Sequence, residues 1–140
     1  YSDLQNIRVD SEMKSLQEEL KTTELIKTKR LETILDEYNI LNINYLSIDV
    51  EGSELNVVKS INFEKVLIDV IGFENNVMCT TDENFKLDEY NRGREIVNFL
   101  KKNGFLELQA NCQGWGDIFM INSKSKFLTD DVEKFIVHRF

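Results

Sequence analysis

Proline is absent from this sequence, histidine occurs once and cysteine twice. Without proline, a Gly/Ser-rich linker, an internal repeat or a low-complexity tract, nothing marks a domain boundary, and residues 1–140 read as a single domain. His138 stands two residues from the C-terminus and reads as a solvated surface group. Cys79 and Cys112 lie in different segments with no metal-type spacing, so they read as reduced thiols of a cytoplasmic protein. No apolar run approaches the ~18 residues of a spanning helix, and the charged start "YSDLQNIRVDSEMK" does not resemble a signal peptide. Basic residues are also in deficit, 17 against 25 acids for a net charge of −8. A phosphate backbone or an anionic membrane surface needs the opposite sign, so neither nucleic acid nor a membrane is expected as the partner. The six glycines form no G-x-G turn between a strand and a helix, and no P-loop, GxSxG or HExxH pattern occurs. An unrelated nucleotide-binding domain would need such a phosphate loop.

What the sequence does have is apolar bulk. Hydrophobic residues make up 41 %, with nine Phe, four Tyr and one Trp, enough to fill a core. The chain opens on Tyr1 rather than Met and is expected to be a processed product or a piece of a longer protein.

Met13, Leu16 and Leu20 recur at helical spacing between Asp10 and Thr22, which predicts an amphipathic helix. "ELIKTKRL" (24–31) alternates as a short strand does, and "LETILDEYN" (31–39) reads as a brief helix. "INYLSIDV" (43–50) and "KVLIDVIGF" (65–73) are nearly continuous apolar runs, the pattern of strands covered on both faces in a parallel sheet. Between them "SELNVVKSI" (53–61) offers Leu55, Val58 and Ile61 to one side, completing a βαβ unit. A helix is expected over about 87–103, burying Ile96, Val97 and Leu100 and stopping at Gly104. "NRGRE" (91–95) reads as its exposed start. "FLELQA" (105–110) and "DIFMINS" (117–123) are too close together for a crossover and should pair antiparallel. Thr129 with Asp130 and Asp131 starts a C-terminal helix carrying Val132, Phe135 and Ile136. The expectation is an α/β fold with an open, mostly parallel sheet and a C-terminal antiparallel strand pair.

In such sheets ligands gather beyond the carboxyl ends of the strands. Asp49 and Glu51 end the first buried strand, and Glu74, Asn75 and Asn76 end the second. Neighbouring strands lie ~4.8 Å apart, so side chains from both tips can meet around one small ligand. Carboxylates with an amide suit a hard cation such as Mg²⁺, and Gly52 permits a tight turn beside a ligand. The alternative is ordinary chain exit, with Ser53 and Glu54 capping the crossover helix. Trp115, between two glycines in "QGWGD", reads either as part of a turn or as a pocket wall.

"TKRLETIL", "YLSIDVEGSE" followed by "VVKSINFEK", "FENN", "IVNFLKKNGF" and "GDIFMIN" together resemble the FkbM-type methyltransferases, over residues 22–123. These belong to the class I superfamily that uses S-adenosylmethionine. The resemblance implies a Rossmann-like seven-stranded sheet, with 43–50 as its fourth strand and 65–74 as its fifth. It implies methyl transfer to a hydroxyl, on a glycan or a small-molecule natural product. Asp49 then matches the acid placed near the methyl donor, with Gly52 beside it in the donor site. Asp49, Glu74 and Asn75 match the metal ligands of those relatives that bind Mg²⁺. A lysine base often follows the fourth-strand acid; here Gly52 and Ser53 stand nearby, leaving Glu51 or Glu54 as substitutes. The family's first strands and Gly-rich donor loop have no counterpart in these residues. The expectation is therefore the C-terminal part of such a domain, weak toward the donor by itself and with an unpaired sheet edge. The rival reading is a non-catalytic methyltransferase-like fragment that serves as a binding module.

Overall fold

The computed structural model describes residues 27–76, 81–109 and 116–137. The amphipathic helix over 10–22, residues 24–26 of the supposed first strand, both cysteines, Trp115 and His138 lie outside them. Residues 27–30 have no regular structure and Leu31 already opens a helix, so the strand expected over 24–31 is not found in its described part. That helix, α1 (Leu31–Glu37), buries Leu35. It ends because Asn39 takes a left-handed φ of 54°. The amide of Ile40 then returns to the carbonyl of Leu35 (2.8 Å) and that of Asn39 to Asp36 (3.1 Å), which satisfies the last carbonyls.

Strand β1 (Asn42–Ile48) leads through a turn into α2 (Glu54–Lys59) and on to β2 (Leu67–Phe73). β1 and β2 pair in parallel, Ile48 opposite Phe73, as the βαβ reading requires. α3 (Glu83–Lys102) begins four residues earlier than expected, because the Asp82 carboxylate caps the amides of Asn84 and Phe85. "NRGRE" is thus the middle of a helix and not its exposed start. β3 (Phe105–Leu108) and β4 (Ile118–Asn122) pair antiparallel, and β4 inserts between β2 and β3 to give the order β1-β2-β4-β3. Only one of the three described pairings is parallel, which corrects the expectation of a mostly parallel sheet. The C-terminal helix shrinks to one turn, α4 (Asp130–Glu133); Phe135 is exposed and Ile136 instead bridges to Leu108.

Burial follows position in the sheet. β2 lies centrally and is buried along most of its length, whereas β1 has a described neighbour on one side only and is largely exposed. Asp69, an acid inside the buried strand, is accounted for by Asn44 on β1, whose amide donates to its carboxylate at 3.0 Å. One apolar core joins Val58 of α2 and Ile96, Val97 and Leu100 of α3 to Ile71, Phe73 and Met120 of the sheet. Phe63 closes its far end, edge-on to Phe105 at 5.4 Å. Beneath α3, buried Glu107 on β3 meets Arg94 at 2.7 Å and Lys101 at 3.1 Å. Burial works against the Glu107 carboxylate, yet these two cations outweigh it and hold its pKa below the usual range. Among the described residues no helix is long and apolar enough to cross a membrane.

Candidate functional site at the strand tips

Alternation along a strand decides which residues can meet. Ser47 and Asp49, Gly72 and Glu74, and Asp117 before β4 fall on one face of the sheet. That face is opposite to Phe73 and Ile118. Together with the backbone around Ile48 and Phe73 they line a hollow of about 200 Å³ beyond the ends of β1 and β2. The ladder continues into it, because the amide of Glu74 donates to the carbonyl of Ile48 at 3.1 Å. Gly72 keeps its floor open: a Cβ there would stand 2.6 Å from the Tyr45 hydroxyl, with the Phe119 ring just beyond.

The hollow is acidic. Burial raises the Glu74 carboxyl above its ordinary range, and a hydrogen bond involving Asn76 pulls it partly back. The charges of Asp49, Glu51 and Glu54 push it up again. A cationic ligand seated here would reverse that repulsion.

After Asp49 the chain turns sharply. Glu51 and Gly52 both have positive φ, 51° and 96°, and the amide of Ser53 returns to the carbonyl of Val50 at 3.3 Å. Two left-handed residues in succession define a type I′ geometry, which Gly accepts readily and Glu does not. Ser53 makes no side-chain cap on α2. Glu54 does not serve that helix either: its Oε1 accepts from the amides of Val50 (3.2 Å) and Gly52 (3.0 Å). The choice between helix capping and a ligand-presenting tip therefore resolves into a braced turn beside the hollow. On its other flank, Ser53 lines a shallower groove of about 440 Å³ with Thr28, Lys29, Arg30, Asn56 and Ser60.

The expected site residues are thus divided. Asp49 and Glu74 come together in the hollow, and Glu51 and Gly52 form the adjoining turn. Asn75 is committed elsewhere: only 7 % exposed, its amide donates to the carbonyl of Glu89 on α3 at 3.1 Å. The Asp49–Glu74–Asn75 donor set for Mg²⁺ does not assemble, and among the described residues no group of three or more Asp, Glu, His or Cys is disposed to hold a metal ion.

Three participants were hidden from sequence reasoning. Asp117 joins the hollow because β4 runs antiparallel beside β2, which sets the start of one strand against the end of the other. Gly93 sits under Asn75, where a Cβ would overlap the amide nitrogen; a lone glycine amid helical spacing was the available signal. Arg92 pairs with buried Glu89 and reaches Gly52, while the second oxygen of Glu89 accepts from the amide of Asn76 at 3.2 Å. α3 thereby ties the two strand tips together.

A family model described as "Methyltransferase FkbM domain" matches residues 2–107. Comparison with curated proteins and with solved structures returned no match. The match spans most of the chain and contains both β1 and β2 with the turn between Asp49 and Glu54, and the chain belongs to the FkbM methyltransferase family.

Proposed function

We propose that this protein transfers a methyl group from S-adenosylmethionine to a hydroxyl of a sugar or small natural product, using the acidic hollow at the tips of β1 and β2. The observation that carries the proposal is the convergence of Asp49, Glu74 and Asp117 on one hollow in a chain of this family. When bound, the donor supplies a methyl group on a cationic sulfur. Three carboxylates offer that cation a favourable field, and the strand ends hold them without reorganisation. The hollow of about 200 Å³ is smaller than the roughly 300–1,000 Å³ of complete small-molecule sites, so it accommodates part of the donor.

In this reading Asp49 orients the donor, and the turn through Glu51 and Gly52 lets it approach the backbone closely. The acceptor hydroxyl must lose a proton as the new bond forms. Glu74, whose proton affinity is raised, is the best-suited acceptor in the hollow, and Glu51 stands at its rim. The groove past Ser53 carries hydroxyl, amide and cationic groups, which suit a polyhydroxylated acceptor. Asn75 is turned into α3 and takes no part in the hollow. A Rossmann-like arrangement fits the parallel β1–α2–β2 unit, with the ligand site at its carboxyl end.

The test is incubation with methyl-labelled S-adenosylmethionine and a panel of sugars and hydroxylated small molecules, scored by label transfer. Transfer is expected for the full-length native protein and lost in its Asp49→Asn variant. Equal transfer by the two proteins would remove Asp49 from the reaction.

A further inference from the structure

We propose that Glu54 is a positioning residue: its buried carboxylate holds the turn from Val50 to Ser53 in its left-handed form and thereby fixes Asp49 at the rim of the hollow. This rests on the methyltransferase reading and adds to it a residue that touches neither donor nor acceptor. Glu54 is 2 % exposed, and one of its oxygens takes both free amides of the turn, Val50 at 3.2 Å and Gly52 at 3.0 Å. Those amides have no other described partner. Charge-assisted bonds to backbone amides are the strong kind, and here they oppose a defined strain. Glu51 at φ 51° places its Cβ against the following carbonyl, a conformation that a non-glycine residue leaves when nothing restrains it. If the clamp opens, Glu51 returns to the right-handed or extended region and the chain on both sides re-aims. Asp49 lies only two residues before Glu51, between the last β1 residue and the turn, and it moves with that change. Glu54 belongs to α2, so the rigid βαβ unit supplies the anchor and the turn supplies the reach.

The carboxylate acts by accepting hydrogen bonds, and this separates it from a residue that merely fills space. A glutamine at 54 keeps one acceptor oxygen in the same place, whereas alanine keeps none. Glu54 also adds to the negative field on Glu74, together with Asp49 and Glu51, while Asn76 hydrogen-bonds to Glu74 and Asp117 lines the same hollow. Glu54→Gln removes that charge and leaves the turn in place.

The experiment is amide hydrogen exchange by NMR on the native protein, Glu54→Gln and Glu54→Ala. It is followed by titration of each with S-adenosylhomocysteine and by a pH titration of the Glu74 carboxyl carbon. Exchange at Val50 and Gly52 is expected to quicken about tenfold or more in Glu54→Ala, the size of one lost charged hydrogen bond, and to stay within about threefold of native in Glu54→Gln. Affinity for S-adenosylhomocysteine should follow the same order, and the Glu74 titration should move to lower pH in Glu54→Gln. Unchanged exchange in Glu54→Ala overturns the clamp, as does Glu54→Gln behaving like Glu54→Ala. Exchange is read without ligand, so a native protein that ignores S-adenosylhomocysteine overturns the donor reading while exchange still decides the clamp. If Glu54→Ala does not fold, Glu54→Asp, whose shorter side chain withdraws the acceptor from the turn, takes its place: quicker exchange at Val50 and Gly52 supports the clamp, and native exchange overturns it.

Discussion

Gly93→Ala pits helix propensity against tertiary packing. By propensity alone, alanine in the middle of a helix is more stable than glycine by about 1 kcal/mol. The structure predicts the opposite sign. A methyl at position 93 would overlap the Asn75 amide nitrogen and crowd Ile118. Asn75 is buried and already bonded to the carbonyl of Glu89, so it cannot step aside into solvent. Losing that bond while its donor stays buried costs about 1–3 kcal/mol, and overpacking a tight contact costs a similar 1–3 kcal/mol. After the propensity gain, the net loss is roughly 1–5 kcal/mol, centred near 3. Urea denaturation of the native protein, Gly93→Ala, Asn75→Ala and the double variant measures both the sign and the cause. In the Asn75→Ala background the overlap is gone, and Gly93→Ala should become neutral or stabilising by about 1 kcal/mol. A stabilising Gly93→Ala in the native background, or the same effect in both backgrounds, would refute the packing argument.

Other perturbations probe different links. Gly116→Ala would drive a methyl into the backbone carbonyl of Asn75, which no rotamer change relieves. It should destabilise more than Gly93→Ala and abolish donor binding, checked by denaturation and ligand titration. Glu107 has a folded-state pKa below its ordinary 4.5, so its contribution is present above that pH and lost as pH falls through the depressed folded value. Glu107→Gln should therefore cost about 2–3 kcal/mol near pH 7, with the difference from native vanishing in acid, as followed by denaturation at several pH values. Asn44→Ala leaves the Asp69 carboxylate without its described donor and should cost about 1–3 kcal/mol by the same assay.

Much of the architecture was legible because it rests on local pattern. The continuous apolar runs of β1 and β2 with a short amphipathic segment between them admit few arrangements other than a parallel βαβ unit. The closeness of β3 and β4 forces an antiparallel pair. Other features depend on contacts between distant segments. Insertion of β4 between β2 and β3 is set by packing, and it alone delivers Asp117 to the hollow. β1 carries the same apolar pattern as β2, yet it stands at the described edge and is largely exposed; composition does not distinguish a central strand from an outer one. In the site, Asp49 and Glu74 could be paired from strand ends alone. The commitment of Asn75 to Glu89 could not, since it required α3 to start at Asp82 and to turn Gly93 inward. The C-terminal turn had every helix-start signal but lacked length, because residues after Glu133 found bonds with β3 instead, Val137 donating to Glu107 and Gln109 to Phe135.

The central claim is that the hollow between Asp49 and Glu74 receives the methyl donor. Titration of ¹⁵N-labelled protein with S-adenosylmethionine, without an acceptor, to millimolar concentration reads even weak binding residue by residue. Saturable shifts confined to the amides of Ile48 through Ser53, Glu74 and Asp117 are expected, and they should disappear in Asp49→Asn. Shifts that map elsewhere, or that persist unchanged in Asp49→Asn, would contradict the account.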